Sequence, residues 1–238
     1  MPTIKKRGNA AKKRQPEQEI RTLAHNVSEF MAAHRKNFTV IIAALAAVLI
    51  IVAGLRIMRS VQEQKAAPLV ASAYGYYSSS RGTDADFAKA LDLFRSVQKQ
   101  YPSTGSGAIA QYYIGNCLAN LGRNEEALKE YQAFVEKYAG DKFLLGLVYE
   151  RMGYVYSALG KQADAVNAFK QSETLIGPGV STIELARLYE AAGNVTGSQQ
   201  EYKLIADKLA GTAWAAEAMG KLQKIGPLQM PAPLTGGK

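Results

Sequence analysis

The chain has 238 residues, a formal net charge of +9 and a single cysteine, Cys117, which excludes an intramolecular disulfide. Residues 1–37 hold nine basic and three acidic side chains, whereas residues 60–238 hold eighteen and seventeen. The larger part is therefore nearly neutral and lacks the clustered basic face that nucleic-acid binding requires, so we expect no nucleic-acid partner.

Residues 38–55 contain no charged side chain. About 20 apolar residues in a helix span the ~30 Å hydrocarbon core of a bilayer. A buried core helix is disfavoured because the stretch is apolar on every side. A cleaved signal peptide is disfavoured because 37 residues precede the stretch and a signal core usually has about 7–15 apolar residues. We therefore predict one uncleaved transmembrane signal-anchor helix over residues 37–58.

The basic N-terminal segment predicts the orientation of this helix, because cytoplasmic flanks of a span are enriched in Lys and Arg. Residues 1–16 are polar and basic and are predicted to be a disordered cytoplasmic tail. Such a tail attracts anionic lipid, with contact to ribosomal RNA as the less favoured alternative. Residues 17–36 carry apolar side chains three and four positions apart, which predicts an amphipathic cytoplasmic helix.

A repeating pattern follows the apolar stretch. A small residue precedes, by twelve positions, an alanine or serine that is itself followed four positions later by an aromatic residue. The copies are Gly115, Ala127 and Tyr131; Gly153, Ala165 and Phe169; and Ala186, Ser198 and Tyr202, with a degenerate first copy that ends in Ala90 and Phe94. Successive copies are offset by 38 and then 33 residues.

Two helices per copy explain this spacing. The small residues allow two helices to cross closely, the aromatic side chain fills the gap between neighbouring hairpins, and Gly122, Gly160 and Gly193 end the first helix of each pair. The pattern resembles the tetratricopeptide repeat. That resemblance implies an all-α fold over residues 59–225, an α-solenoid of about four helical hairpins closed by a capping helix at Ala213–Ile225. A general array of helical hairpins is the alternative, and residues 226–238 are predicted to be a disordered Pro/Gly-rich tail.

The sequence offers little for catalysis. The only two histidines, His25 and His34, precede the apolar stretch, so the repeat region has no Ser-His or Cys-His pair. We expect no enzyme activity, no metal, no cofactor and no small-molecule substrate, and we expect Cys117 to be a buried, inert thiol.

Repeat arrays bind proteins on the surface formed by their first helices. The residues predicted to line this protein-binding groove lie on first helices, away from the packing face. They are Tyr112, Asn116, Asn120, Glu150, Tyr154, Ser157, Ile183, Arg187 and Glu190.

The order of basic tail, short helix, single span, repeat hairpins and capping helix resembles the ancillary SecYEG translocon subunit family of bacterial inner-membrane proteins. The resemblance implies a single-pass protein with a cytoplasmic N-terminus and a periplasmic domain. It also implies that the secretion translocon and periplasmic chaperones are the partners, with emerging chains passed between them. The alternative is an envelope scaffold for a division, pilus or outer-membrane assembly complex, which co-purification would distinguish. The sequence does not indicate an oligomeric state.

Overall fold

The computed structural model describes His25 and residues 28–30, 32–79 and 82–226. The predictions for residues 1–16, and those for residues 227–238, lie outside the described residues. The chain divides into two compact units, Met1–Met58 and Arg59–Lys238. The long helices are α1 (Arg35–Tyr77), α2 (Asp84–Gln100), α3 (Gly105–Asn120), α4 (Asn124–Tyr138), α5 (Lys142–Ala158), α6 (Gln162–Ile176), α7 (Val180–Ala191), α8 (Val195–Lys208) and α9 (Ala213–Ile225).

Helix α1 contains the apolar stretch. Within the described residues it is the one helix long and apolar enough to cross a membrane, and none of its most apolar 18-residue window is buried by protein. Within the predicted amphipathic helix, His25 and residues 28–30 and 32–33 are helical and residues 35–36 belong to α1, whereas residues 17–24, 26, 27 and 31 lie outside the described residues. Helix α1 continues through Pro68 to Tyr77 without a break.

In the second unit, each helix packs chiefly against its neighbours in sequence, as expected for a solenoid. The end of α1 precedes α2 as the first hairpin and contacts two helices: the ring of Tyr77 lies 5.7 Å from that of Phe87 in α2 and 4.9 Å from that of Tyr113 in α3. Helices α3 and α4, α5 and α6, and α7 and α8 form three more, and α9 packs against α8. The predicted all-helical hairpin stack and its final helix are therefore confirmed.

Three glycines end the first helices in the same way. Gly122, Gly160 and Gly193 have φ of +71°, +72° and +71°, a left-handed conformation that costs glycine little. At the first of these turns the next amide, Arg123 N–H, donates to the carbonyl of Leu118 at 2.8 Å. The same bond recurs at the other two turns, so each first helix ends in the Schellman arrangement and the chain reverses into the second helix.

The small and aromatic residues of the repeat pack against each other inside one hairpin. A Cβ atom on Gly153 would lie 2.6 Å from a ring carbon of Phe169, and one on Gly115 would overlap the ring of Tyr131. Both rings are almost fully buried. The sequence predicted that these aromatic side chains would fill the gap between hairpins. The Phe169 ring does cluster with Leu185 of the next hairpin, and it also fills the space that the missing side chain of Gly153 leaves in its own hairpin.

The apolar core has three parts. The main cluster extends from Ala66 to Ala168, a second cluster surrounds Tyr202, and a small cluster of Ala165, Phe169 and Leu185 lies between them. Cys117 belongs to the main cluster and is 0% exposed, which confirms the predicted buried thiol. Burial raises the pKa of this thiol to about 12.

Candidate functional site: the inner cleft

A cleft of about 230 Å³ opens on the first-helix side of the solenoid, where the end of α1 meets α3, α4 and α5. We call it the inner cleft. Its lining combines aromatic rings, asparagine amides, one arginine and small apolar side chains: Tyr77, Asn116, Ala119, Asn120, Asn124, Tyr131, Arg151, Tyr154, Val155 and Ala158.

Arg151 supplies the positive charge of the inner cleft. Its Nε donates to the hydroxyl oxygen of Tyr112 at 3.3 Å, and its guanidinium carbon lies 5.9 Å from the centre of the Tyr154 ring. The nearest carboxylate oxygen, Oε1 of Glu150, is 4.0 Å from Nη2, and the arginine side chain is 45% exposed. The guanidinium is therefore held in place by aromatic neighbours, while donor groups remain accessible to a ligand.

Polar side chains around Arg151 are fixed by hydrogen bonds. The Tyr131 hydroxyl donates to Asn116 Oδ1 at 2.6 Å, which orients a buried amide at the floor of the inner cleft. Asn120 Nδ2 lies 3.5 Å from the Tyr77 hydroxyl at the rim. Burial, with the nearby carboxylate of Glu184, raises the pKa of Tyr154 to about 12, so this hydroxyl stays protonated and can donate at neutral pH.

The predicted groove residues separate into three groups. Asn116, Asn120 and Tyr154 line the inner cleft. Tyr112 and Glu150 are each only 7% exposed; Tyr112 lies behind Arg151 as a support, and burial raises the pKa of the Glu150 carboxyl. Ser157 is half-buried and does not line the cleft.

Next to α9 the groove prediction is wrong for Ile183, whereas Arg187 and Glu190 are exposed but paired with another helix. Ile183 is 2% exposed and belongs to the core around Tyr202. Arg187 pairs with Glu217 of α9 at 2.8 Å, and Glu190 pairs with Lys221 of the same helix at 2.8 Å. The capping helix occupies the next first-helix position, so it uses these side chains for its own attachment.

Only three of the ten lining residues were predicted from the sequence, and Arg151, Asn124 and Tyr77 are among the seven that were not. Arg151 lies two positions before the repeat glycine Gly153, and the predicted register gave it no role; a cation between Tyr149 and Tyr154 in the sequence was the available signal. Asn124 is the first residue of α4 and Tyr77 is the last residue of α1. Neither belongs to a regular first helix of the repeat. Within the described residues, no three His, Cys, Asp or Glu side chains are grouped to hold a metal ion.

Comparison with known proteins agrees with the geometry. A family model described as a tetratricopeptide repeat matches residues 109–141, which include most of α3 and all of α4. A tetratricopeptide repeat protein from Parabacteroides merdae superposes with a TM-score of 0.55 at 16% identity, covering 68% of this chain and 60% of its own. The second unit is a tetratricopeptide-repeat-like solenoid. A Podosopora anserina structure of nearly identical TPR-like repeats superposes with a TM-score of 0.51 at 18% identity, covering 68% and 90%.

The tetratricopeptide-repeat-like fold supports a protein–protein interaction module. A solenoid presents its first helices side by side on one surface, and that surface is suited to an extended polypeptide. The inner cleft is the part of this surface where side chains with accessible donors and acceptors converge in the described residues.

Proposed function

We propose that the chain is a membrane-anchored module that captures a segment of a partner protein in the inner cleft. The observation that carries the proposal is the half-exposed Arg151 guanidinium. It is held by the ring of Tyr154 and the hydroxyl of Tyr112, within a cleft lined by asparagine amides. Arginine and tyrosine dominate the binding energy of many protein interfaces, particularly where they are preorganised.

The chemistry of the inner cleft selects the kind of segment. A cleft of about 230 Å³ holds a few side chains and no large cofactor. The guanidinium presents paired N–H donors that match a carboxylate, and the amides of Asn120 and Asn124 can donate to and accept from a peptide backbone. The proposed ligand is therefore an extended peptide with a carboxylate against Arg151.

Helix α1 suggests where this capture takes place. Its apolar side chains from Val40 to Met58 are largely exposed, as expected for a lipid-facing span, and the basic residues before it favour a cytoplasmic N-terminus. In this proposal the solenoid lies in the periplasm of a bacterial cell, beside the secretion translocon, and delivers emerging chains to periplasmic chaperones. The resemblance in element order supports that assignment.

The orientation is tested by reporter fusions after Lys238. A phosphatase that is active only outside the cytoplasm is expected to be active there, and a reporter that folds only in the cytoplasm is expected to be inactive. The control is the same pair of reporters fused after Lys36, before the apolar stretch, where the opposite result is expected. Activity of the cytoplasmic reporter after Lys238 would overturn the orientation and the translocon assignment together.

Capture in the inner cleft is tested by photo-crosslinking in intact membranes. A photoreactive amino acid replaces Asn120, an exposed rim residue, and a matched probe replaces Gln132, which is exposed on α4 and does not line the cleft. The Asn120 probe is expected to label subunits of the secretion channel or periplasmic chaperones, and the Gln132 probe is not. Equal labelling from both positions would contradict binding in the cleft. Labelling of another envelope complex from Asn120 alone would favour the scaffold alternative.

A further inference from the structure

A second, more apolar groove lies between α6 and α7 and has a volume of about 560 Å³. We call it the α6–α7 groove. It is lined by Gln162, Ala163, Val166, Asn167, Leu188, Tyr189, Ala191, Ala192 and Asn194. The groove is separate from the inner cleft, and the inference drawn from it does not depend on the proposed function.

The groove exists because two side chains are smaller here than at the preceding junction. In the repeat register, Val166 corresponds to Leu128, and Ala192 corresponds to Leu159. Leu128 is 7% exposed and Leu159 packs against the main core, so the junction of α4 and α5 is filled. Replacing these leucines by valine and alanine removes four carbon atoms, and the unfilled volume remains open to solvent.

The end of the described chain lies close to this groove. The carbonyl of Gly226, directly after α9, accepts a hydrogen bond at 2.9 Å from Nε2 of Gln199, which is 1% exposed on α8. Asn194, the N-cap of the same helix, lines the groove. Five residues of helix advance about 7.5 Å, whereas five residues of extended chain span about 16 Å. The segment after Gly226 can therefore reach the groove.

The composition of that segment matches the lining. Residues 227–234 contain Leu228, Met230 and Leu234 among three prolines and no charged side chain. The side chains of Val166 and Leu188 provide an apolar wall. Prolines reduce the conformational entropy that a docked segment loses, so a short apolar segment can bind its own chain.

We propose that residues 227–234 dock in the α6–α7 groove of the same chain. Met230 and Leu234, four and eight residues beyond Gly226, supply the apolar groups that valine and alanine leave missing at positions 166 and 192. The segment thereby completes the core of the third and fourth hairpins.

Hydrogen exchange of the full chain in detergent tests the proposal. The probe variant replaces Met230 and Leu234 by serine, which changes no residue of the described helices. Exchange in the first half of α6 and the last half of α7 is expected to rise about tenfold, because burial of a single large apolar side chain is worth at least that factor. Exchange in α3 and α4 is the internal control and should stay constant. Unchanged exchange in α6 and α7 would overturn the proposal, as would a change confined to the residues around Gln199.

A second variant changes the groove and leaves the docking segment intact. Ala192→Leu restores the side chain of the preceding junction and should displace the segment, so residues 227–234 should become more susceptible to protease while α6 and α7 stay protected. Protection of α6 and α7 that rises with protein concentration in the unmodified chain would identify a second copy as the occupant. That result would overturn docking within one chain.

Discussion

Phe169→Ala is expected to lower the free energy of unfolding of the repeat domain by about 3–5 kcal/mol. The ring is 1% exposed and fills the space over Gly153, with the Tyr154 ring edge-on at 5.3 Å. Truncation leaves a cavity inside the third hairpin that neither helix can close without moving its neighbours. Chemical denaturation of the full chain in detergent, followed by circular dichroism, measures the change.

Variants of Gly153 test whether the loss of stability comes from the contact between Gly153 and the Phe169 ring. Gly153→Ala alone should destabilise by about 1–3 kcal/mol, because its Cβ would lie 2.6 Å from the Phe169 ring. Combined with Phe169→Ala, the same change should stabilise by about 1 kcal/mol, since the clash is gone and the helix propensity of alanine remains. Gly220→Ala in α9 is the control, because a Cβ there meets no atom within 4 Å. If Gly153→Ala has the same effect in both backgrounds, the proposed contact is wrong.

Arg151→Met is expected to weaken partner capture about 30-fold, which corresponds to the ~2 kcal/mol typical of an interface arginine in a preorganised site. Methionine keeps the apolar stem and removes the guanidinium that faces the inner cleft. The free energy of unfolding should change little, because the arginine side chain is 45% exposed and its carboxylate contact is 4.0 Å long. Binding of the captured segment to purified protein measures the effect.

Two further variants separate the possible roles of Arg151. Arg151→Lys keeps the charge but loses the planar donor pair, so binding should fall between wild type and Arg151→Met. Arg95→Met removes an exposed arginine of α2 that does not line the cleft and should bind normally. Normal binding by Arg151→Met would place recognition elsewhere on the chain.

The sequence predicted those parts of the fold that depend on local spacing. The glycine turns after the first helices, the final helix and the buried Cys117 all follow from short-range patterns. The site was harder to predict because it depends on how successive hairpins are placed. Arg187 and Glu190 occupy first-helix positions and stay exposed, but they form ion pairs with Glu217 and Lys221 of α9. Tyr77 reaches the inner cleft from a helix whose register differs from that of the repeat.

The modification rate of the buried Cys117 thiol can report how often the solenoid opens. The thiol is 0% exposed and its pKa is raised to about 12, so alkylating reagents can reach it only when α3 separates from its neighbours. Since no other cysteine competes in the chain, the modification rate of the unaltered protein reports how often the part of the solenoid that bears the inner cleft opens. Ligand capture there should slow the modification, which provides a measure of occupancy in cells without an engineered cysteine.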